Sequence, residues 1–235
     1  VGTANAATAG WGNAGGGATQ ALMPLLMAAL IMVGVDAAWG WRAALLVPGI
    51  LMVIVGIMYW KLTQDSPQGD YKELRAMGVE TGGGKKSSMG ILKQAASNYR
   101  VWILFLTYGA CFGVEIFIHN IAAMYYVDTF NLGLKEAGLA AGIFGLLALF
   151  ARALGGIISD KVALGKGLDG RTKILLIMIL GEGIFLILFS QMSTVWTAIM
   201  MMTIFGLFTH MACGATYALV PFIDRESLGG VAGII

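Results

Sequence analysis

Charge is scarce in this chain. Only 12% of its 235 residues are Asp, Glu, Lys or Arg, about half the share of a soluble domain. So little charge excludes a water-covered globule. Cysteine is nearly absent too. The two present, Cys111 and Cys213, lie inside apolar runs, which excludes a disulfide framework or a thiolate metal centre and leaves two packing thiols. No secretory signal pattern is visible. No residue cluster points to a metal, a cofactor, an enzymatic reaction or a nucleic-acid partner.

What the chain has is hydrophobic length. Hydrophobic residues make up 58% of it, in recurring runs of about 18 or more, the length that crosses a bilayer as a helix. The expected class is an all-α polytopic membrane protein, with the lipid bilayer as its solvent. The runs place helices at about 3–33, 41–62, 99–126, 137–158, 174–189 and 195–223, with a stub at 228–235. Residues 1–62 and 99–235 read as parts of two helical bundles, and 63–98 as a solvated linker. That linker carries an Asp65-Ser66-Pro67 turn, a short charged stretch Tyr71–Ala76, a flexible Gly82-Gly83-Gly84 link, and Ser87 before an amphipathic lead-in. The chain reads as an interior stretch of a longer protein. Twelve Lys and Arg residues fall on alternate connections and only Arg42 and Lys135 on the others. The positive-inside rule therefore puts the linker, the turn after the 137–158 helix and the turn at Arg225 in the cytoplasm.

The polar groups inside those runs carry the functional information. Residues 10–17 hold five glycines, which would cost a soluble helix roughly 0.5–1 kcal/mol each relative to Ala. In hydrocarbon the same glycines let a neighbouring helix approach. Asn13 and Gln20, about two turns apart, share a face with Gly16 and Gly17, so this face is a candidate pathway wall. Gly10–Gly15 also matches G-x-G-x-x-G. It lacks a preceding strand and an amphipathic following helix, so a dinucleotide loop is set aside.

Arg152 stands deep in an apolar run, where a charge costs roughly 2.5–3.5 kcal/mol or more and needs a partner or a wet cavity. Its planar, permanently charged fork suits an oxyanion. The plainer alternative is a structural ion pair with Glu115 or Glu182. Tyr108, Phe112, Glu115 and His119 fall within about 60° of one another on one helix, as a cavity wall with a protonatable carboxyl and a possible histidine relay. Gly206, His210, Cys213 and Tyr217 share a face on another helix, and His210 there reads as a structural histidine. Gly156, Asp160, Lys161 and Arg171, at a cytoplasmic turn, read as a conformational latch and not as a substrate site.

Together these residues resemble a known family. The segment Ala9–Gln20 resembles the nitrate signature of the nitrate/nitrite porter family, a branch of the major facilitator superfamily. Trp41-Arg42, Asn98-Tyr99-Arg100-Val101-Trp102, Gly113-Val114-Glu115 and Phe150-Ala151-Arg152 match as well. Gly156–Lys161 with Gly170-Arg171 resembles the superfamily's cytoplasmic loop, lengthened here by Leu164–Asp169. Leu228–Gly233 resembles the start of a second glycine-rich signature.

The resemblance implies helices five to eleven of a twelve-helix, alternating-access transporter in a plasma or bacterial inner membrane. Its expected partners are nitrate or nitrite and protons, and it is expected to be monomeric. Arg152 matches one of two anion-binding arginines, Asn13 the signature asparagine, and Tyr108 and Phe112 the aromatics lining the site. Import against about −100 mV costs about 2.3 kcal/mol per anion, so uptake needs a driving ion. Glu115 with His119 is the expected proton site. The alternatives are nitrate/nitrite exchange, a nitrate-sensing receptor, and a porter of another small anion.

Overall fold

The computed structural model describes residues 2–79 and 87–235. The Gly82-Gly83-Gly84 link, with Lys85 and Lys86, lies outside the described residues. The described residues are helical apart from short connections: α1 (Gly2–Met32), α2 (Ala37–Leu62), α3 (Tyr71–Ala76), α4 (Ser88–Ala96), α5 (Tyr99–Phe130), α6 (Leu134–Leu146), α7 (Ala148–Phe189), α8 (Val195–Leu219), a 3-10 turn (Val220–Phe222) and α9 (Leu228–Ile234). Among the described residues, five stretches are long and apolar enough to cross a membrane. The residues form two compact units, Val1–Leu25 with Ile91–Ile235, and Leu26–Gly90.

In the Leu26–Gly90 unit, Asp36 caps α2 by accepting from the Ala38 N–H at 2.8 Å, supplying one of the acceptors that a helix start requires. Only Gly40 and Ala44 of α2 are buried. Its remaining apolar side chains suit hydrocarbon contact. The charged stretch Tyr71–Ala76 is the short helix α3. The turn before it closes through Ser66 and Gly69, with Gly69 at φ 128°.

The other unit holds the core. One cluster of buried residues runs between α5, α7 and α8, with Ala95 of α4 and Val231 of α9 joining it; the other runs between α5, α6 and α8, with Phe185, Leu186 and Phe189 of α7 packed against it. α5 begins at Asn98, whose side chain accepts from the Arg100 N–H at 3.1 Å. It ends four residues beyond the expected Tyr126, at Phe130, and is capped by Asn131, which is left-handed (φ 54°, ψ 35°). That conformation strains an ordinary side chain but suits Asn or Gly. Asn131→Ala is expected to cost about 1 kcal/mol and Asn131→Gly almost nothing, read as the two variants' melting temperatures against wild type.

The polar turn expected between the 137–158 and 174–189 helices is itself helical. α7 runs through it, broken only at Gly167 (φ 57°, ψ −142°). A straight helix would set residues 160 and 171 about 16 Å apart. The Arg171 Nη1 to Asp160 Oδ1 distance is instead 2.6 Å, so the chain reverses at Gly167. Leu164–Asp169 therefore extends two antiparallel arms, and a conformation open only to glycine makes the turn. Two residues beyond Phe222, Asp224 accepts from Ser227 Oγ at 2.7 Å and from Gln94 Nε2 at 2.9 Å. These bonds, the Ser227 hydroxyl first, hold its carboxyl below the usual range.

Close approach by glycine fixes how the helices meet. A Cβ on Gly17 would strike the backbone of Gly145 and Leu146, and one on Gly10 the Ala148 carbonyl. α1 is thereby seated on the junction of α6 and α7. A Cβ on Gly155 would strike the Met211 carbonyl, and one on Gly214 the Arg152 carbonyl. This reciprocal contact brings α7 and α8 to backbone distance on either side of Arg152.

Candidate functional site

Arg152 is fully buried. On one side its Nη2 donates to Glu115 Oε2 at 2.5 Å. On the other, with the Asn13 amide oxygen turned toward the guanidinium, Asn13 accepts from Nη1 at 2.8 Å and Nη2 at 2.9 Å. Phe112 lies over the guanidinium, its ring centre 5.6 Å from Cζ, a cation–π contact. Tyr108 stacks on Phe112 at 5.0 Å between centroids. The Tyr108 hydroxyl stands 3.2 Å from that of Tyr217. Arg152 Nε has no partner, although a buried donor ordinarily has one.

The structure therefore gathers most of the expected site residues. Asn13, Tyr108, Phe112 and Glu115 surround Arg152. Gly16 lies directly beneath the His119 ring, so that a Cβ there would meet it at 2.9 Å. Gln20 donates to the His119 carbonyl. Gly17 takes part through packing against Gly145. His119 is farther out, with Nε2 3.9 Å from Glu115 Oε1 and its side chain 18% exposed. Of the two carboxyls considered for Arg152, Glu115 makes the ion pair. Glu182 is buried beside Thr209, whose hydroxyl donates to the Phe205 carbonyl.

The latch residues sit apart from this cluster. Asp160 follows Arg152 by about two turns of α7, roughly 12 Å. Its Oδ1 pairs with Arg171, and its Oδ2 accepts from Thr3 N at 3.0 Å and Thr3 Oγ1 at 2.8 Å. Arg171 also donates to Ser159 Oγ at 3.4 Å and lies over Phe222 at 4.9 Å. Gly156 is buried and Lys161 exposed. Thr3 was not singled out in the sequence.

His210, read in the sequence as a structural histidine, stands beside Glu115. Its Nδ1 is 3.3 Å from Glu115 Oε2 and its Nε2 2.9 Å from the Phe144 carbonyl. Cys213 Sγ is 3.6 Å from the same carboxylate oxygen and 3.5 Å from Cys111 Sγ, and both cysteines are free and buried. The face Gly206-His210-Cys213-Tyr217 was legible as a face, but its closeness to Glu115 was not. Among the described residues no group of His, Cys, Asp and Glu is placed to hold a metal ion.

Chemically, the cluster is a buried cation with an aromatic roof, an amide neighbour and a carboxylate occupying one donor edge. An anion with planar oxygens fits that fork. Two grooves lie elsewhere, one of about 360 Å³ along Tyr99, Ile103, Leu175 and Leu219, and one of about 550 Å³ along Phe117, Ile121, Tyr125 and Leu186. Both are apolar-walled.

Comparison with known proteins agrees with this architecture. The chain is 40% identical over its whole length to "High affinity nitrate transporter 2.5" of Arabidopsis thaliana, of which it covers 46%. It is 41% identical over its whole length to "Nitrate transporter 2.1" of Chlamydomonas reinhardtii, of which it covers 43%. It is 25% identical over 99% of its length to the "Nitrate/nitrite transporter NrtP" of Nostoc punctiforme, covering 59% of that protein. The chain thus spans about half the length of the curated relatives it matches. No solved structure matches. The Major Facilitator Superfamily profile matches residues 3–235, and the chain belongs to that superfamily.

Proposed function

We propose that the protein transports nitrate across a membrane by alternating access, and that Arg152 is its anion-binding cation in this part of the molecule. The observation that carries the reading is Arg152 itself: fully buried, with Nε unpartnered and Asn13 and Phe112 set around its fork. The printed names of the relatives supply the anion. Asn13 donates its amide N–H to the bound anion once the amide turns. Tyr108 and Phe112 wall the site. Gln20, Gly16 and Gly17 hold α1 against α5 and α6. Gly156, Asp160, Lys161 and Arg171 form the latch that α1 engages through Thr3.

Nitrate carries one negative charge, so uptake against an inside-negative potential requires a coupled cation. Glu115 is the proton carrier in this reading, with His119 at its outer edge. In the full-length protein reconstituted into vesicles, Glu115→Gln is expected to lower pH-driven nitrate uptake about tenfold or more. Uptake equal to wild type would sink the proton assignment. The name of the Nostoc relative includes nitrite, which favours nitrite as a second substrate. Nitrate–nitrite counterflow without a pH gradient measures it.

A further inference from the structure

His210 is fully buried and its two ring nitrogens have different neighbours. Nε2 faces the Phe144 carbonyl at 2.9 Å. A carbonyl oxygen only accepts, so Nε2 carries a hydrogen. A neutral imidazole then has a bare lone pair at Nδ1. That nitrogen faces Glu115 Oε2 at 3.3 Å, and an ionised carboxylate is also only an acceptor. The contact is attractive only when a proton lies between the two atoms. His119, by comparison, stands 3.9 Å from the other carboxylate oxygen, beyond hydrogen-bond reach.

We propose that a single proton shared between His210 Nδ1 and Glu115 Oε2 decides whether Arg152 is held by Glu115 or by the substrate anion. The proposal rests on the nitrate reading above and adds His210 as the positioning residue for the proton. Glu115 Oε2 is the atom that holds Arg152 and faces His210 Nδ1. When the proton sits on Oε2, Glu115 is neutral, its hold on Nη2 is no longer an ion pair, and the guanidinium edge is open to an anion. When the proton leaves, Glu115 is again the anion at Arg152.

Charge balance gives the same coupling. Arg152 with ionised Glu115 and neutral His210 sums to zero. Arg152 with protonated Glu115 and one bound anion also sums to zero. A proton without an anion leaves one positive charge buried, and an anion without a proton leaves one negative charge, both costly in this interior. Proton and anion therefore enter and leave together. The other titratable groups around His210 are His119 on α5, Glu182 and Arg152 on α7, and Cys213 on α8, with Cys111, Tyr108 and Tyr217 beyond. α6 faces it with Phe144 and has Lys135 and Glu136 only in its first turn. α1 has no titratable side chain.

The test uses full-length protein in proteoliposomes, with nitrate as the probe. Its readout is the ratio of pH-driven accumulation to counterflow without a gradient. His210→Gln is expected to lower that ratio about tenfold, as Glu115→Gln does, and the double variant to fall no further, because both remove one shared proton. A wild-type ratio in His210→Gln, or additive losses in the double variant, would overturn the proposal. Should His210→Gln not fold, the wild-type protein decides. Nitrate binding in weak buffer is expected to take up about one proton per anion, and binding without uptake overturns the proposal. Failure of the wild type to bind or exchange nitrate would instead sink the nitrate reading. The pair is then read without an anion, by nitrogen-15 spectra of histidine-labelled protein. A bare Nδ1 near pH 7 supports the proposal, because the proton enters only with an anion; a proton-bridged Nδ1 in the absence of any anion overturns it.

Discussion

Lysine at position 152 of the full-length protein is expected to lower nitrate affinity about 100-fold or more, although it keeps the charge. The loss comes from geometry. The guanidinium meets Asn13 through two nitrogens and Glu115 through one of them, with its flat face under Phe112. An ammonium on a shorter reach cannot make these contacts at once. Two charge-assisted hydrogen bonds at about 1.5–3 kcal/mol each account for the expected factor. Arg152→Gln alone removes the cation and strands Glu115, which costs about 3–5 kcal/mol of stability, so that variant confounds binding with folding. The double variant Arg152→Gln with Glu115→Gln removes both charges and separates the two roles. If Arg152 binds the anion, the double variant folds but takes up no nitrate. If the pair is only structural, uptake returns with stability. Equilibrium nitrate binding together with melting temperature reads both quantities, and an affinity for the lysine variant within about threefold of wild type counts against the site.

The individual helix faces of this site were legible in the sequence. Tyr108, Phe112, Glu115 and His119 share a face by period alone, and the structure puts the first three around Arg152. The Asn13–Gln20 face was legible as well, because small and polar residues stand out against an apolar background. The neighbours of each face, and their depth, were not. His210 had the sequence context of a packing histidine. What the sequence did not show is its place between the Phe144 carbonyl and the Glu115 carboxylate, on α6 and α5. Helical periodicity carries no information about which helix lies opposite, nor about how far one slides along another. The turn at Gly167 was obscured for a local reason. Lys161, Lys166, Asp169 and Arg171 resemble loop composition, yet they are ordinary helix formers, and one glycine suffices to reverse the chain.

Sliding distance is what the α7–α8 glycines control, and a change there is expected to have the second large effect. Gly214→Ala puts a methyl group on the Arg152 backbone. The atom it meets is a carbonyl in a helix, which cannot swing aside as a side chain would. The helices must part by about 1 Å, and such overpacking costs about 1–3 kcal/mol. The functional loss is larger than the stability loss. Arg152 and its neighbours on α7 move one way, while His210 and Cys213 on α8 move the other. The His210–Glu115 spacing of 3.3 Å and the Cys213–Glu115 spacing of 3.6 Å have no slack. A displacement of about 1 Å at a site of this kind is worth up to about 100-fold in rate. Gly183→Ala on the outer arm of α7 is the control. A Cβ there meets nothing within 4 Å, and alanine in place of a helical glycine stabilises by up to about 1 kcal/mol. The measurement is nitrate transport per folded molecule at equal reconstitution. Gly214→Ala should fall by about tenfold or more while Gly183→Ala stays at wild type. Equal rates in the two variants would mean that the α7–α8 contact does not set the geometry around Arg152.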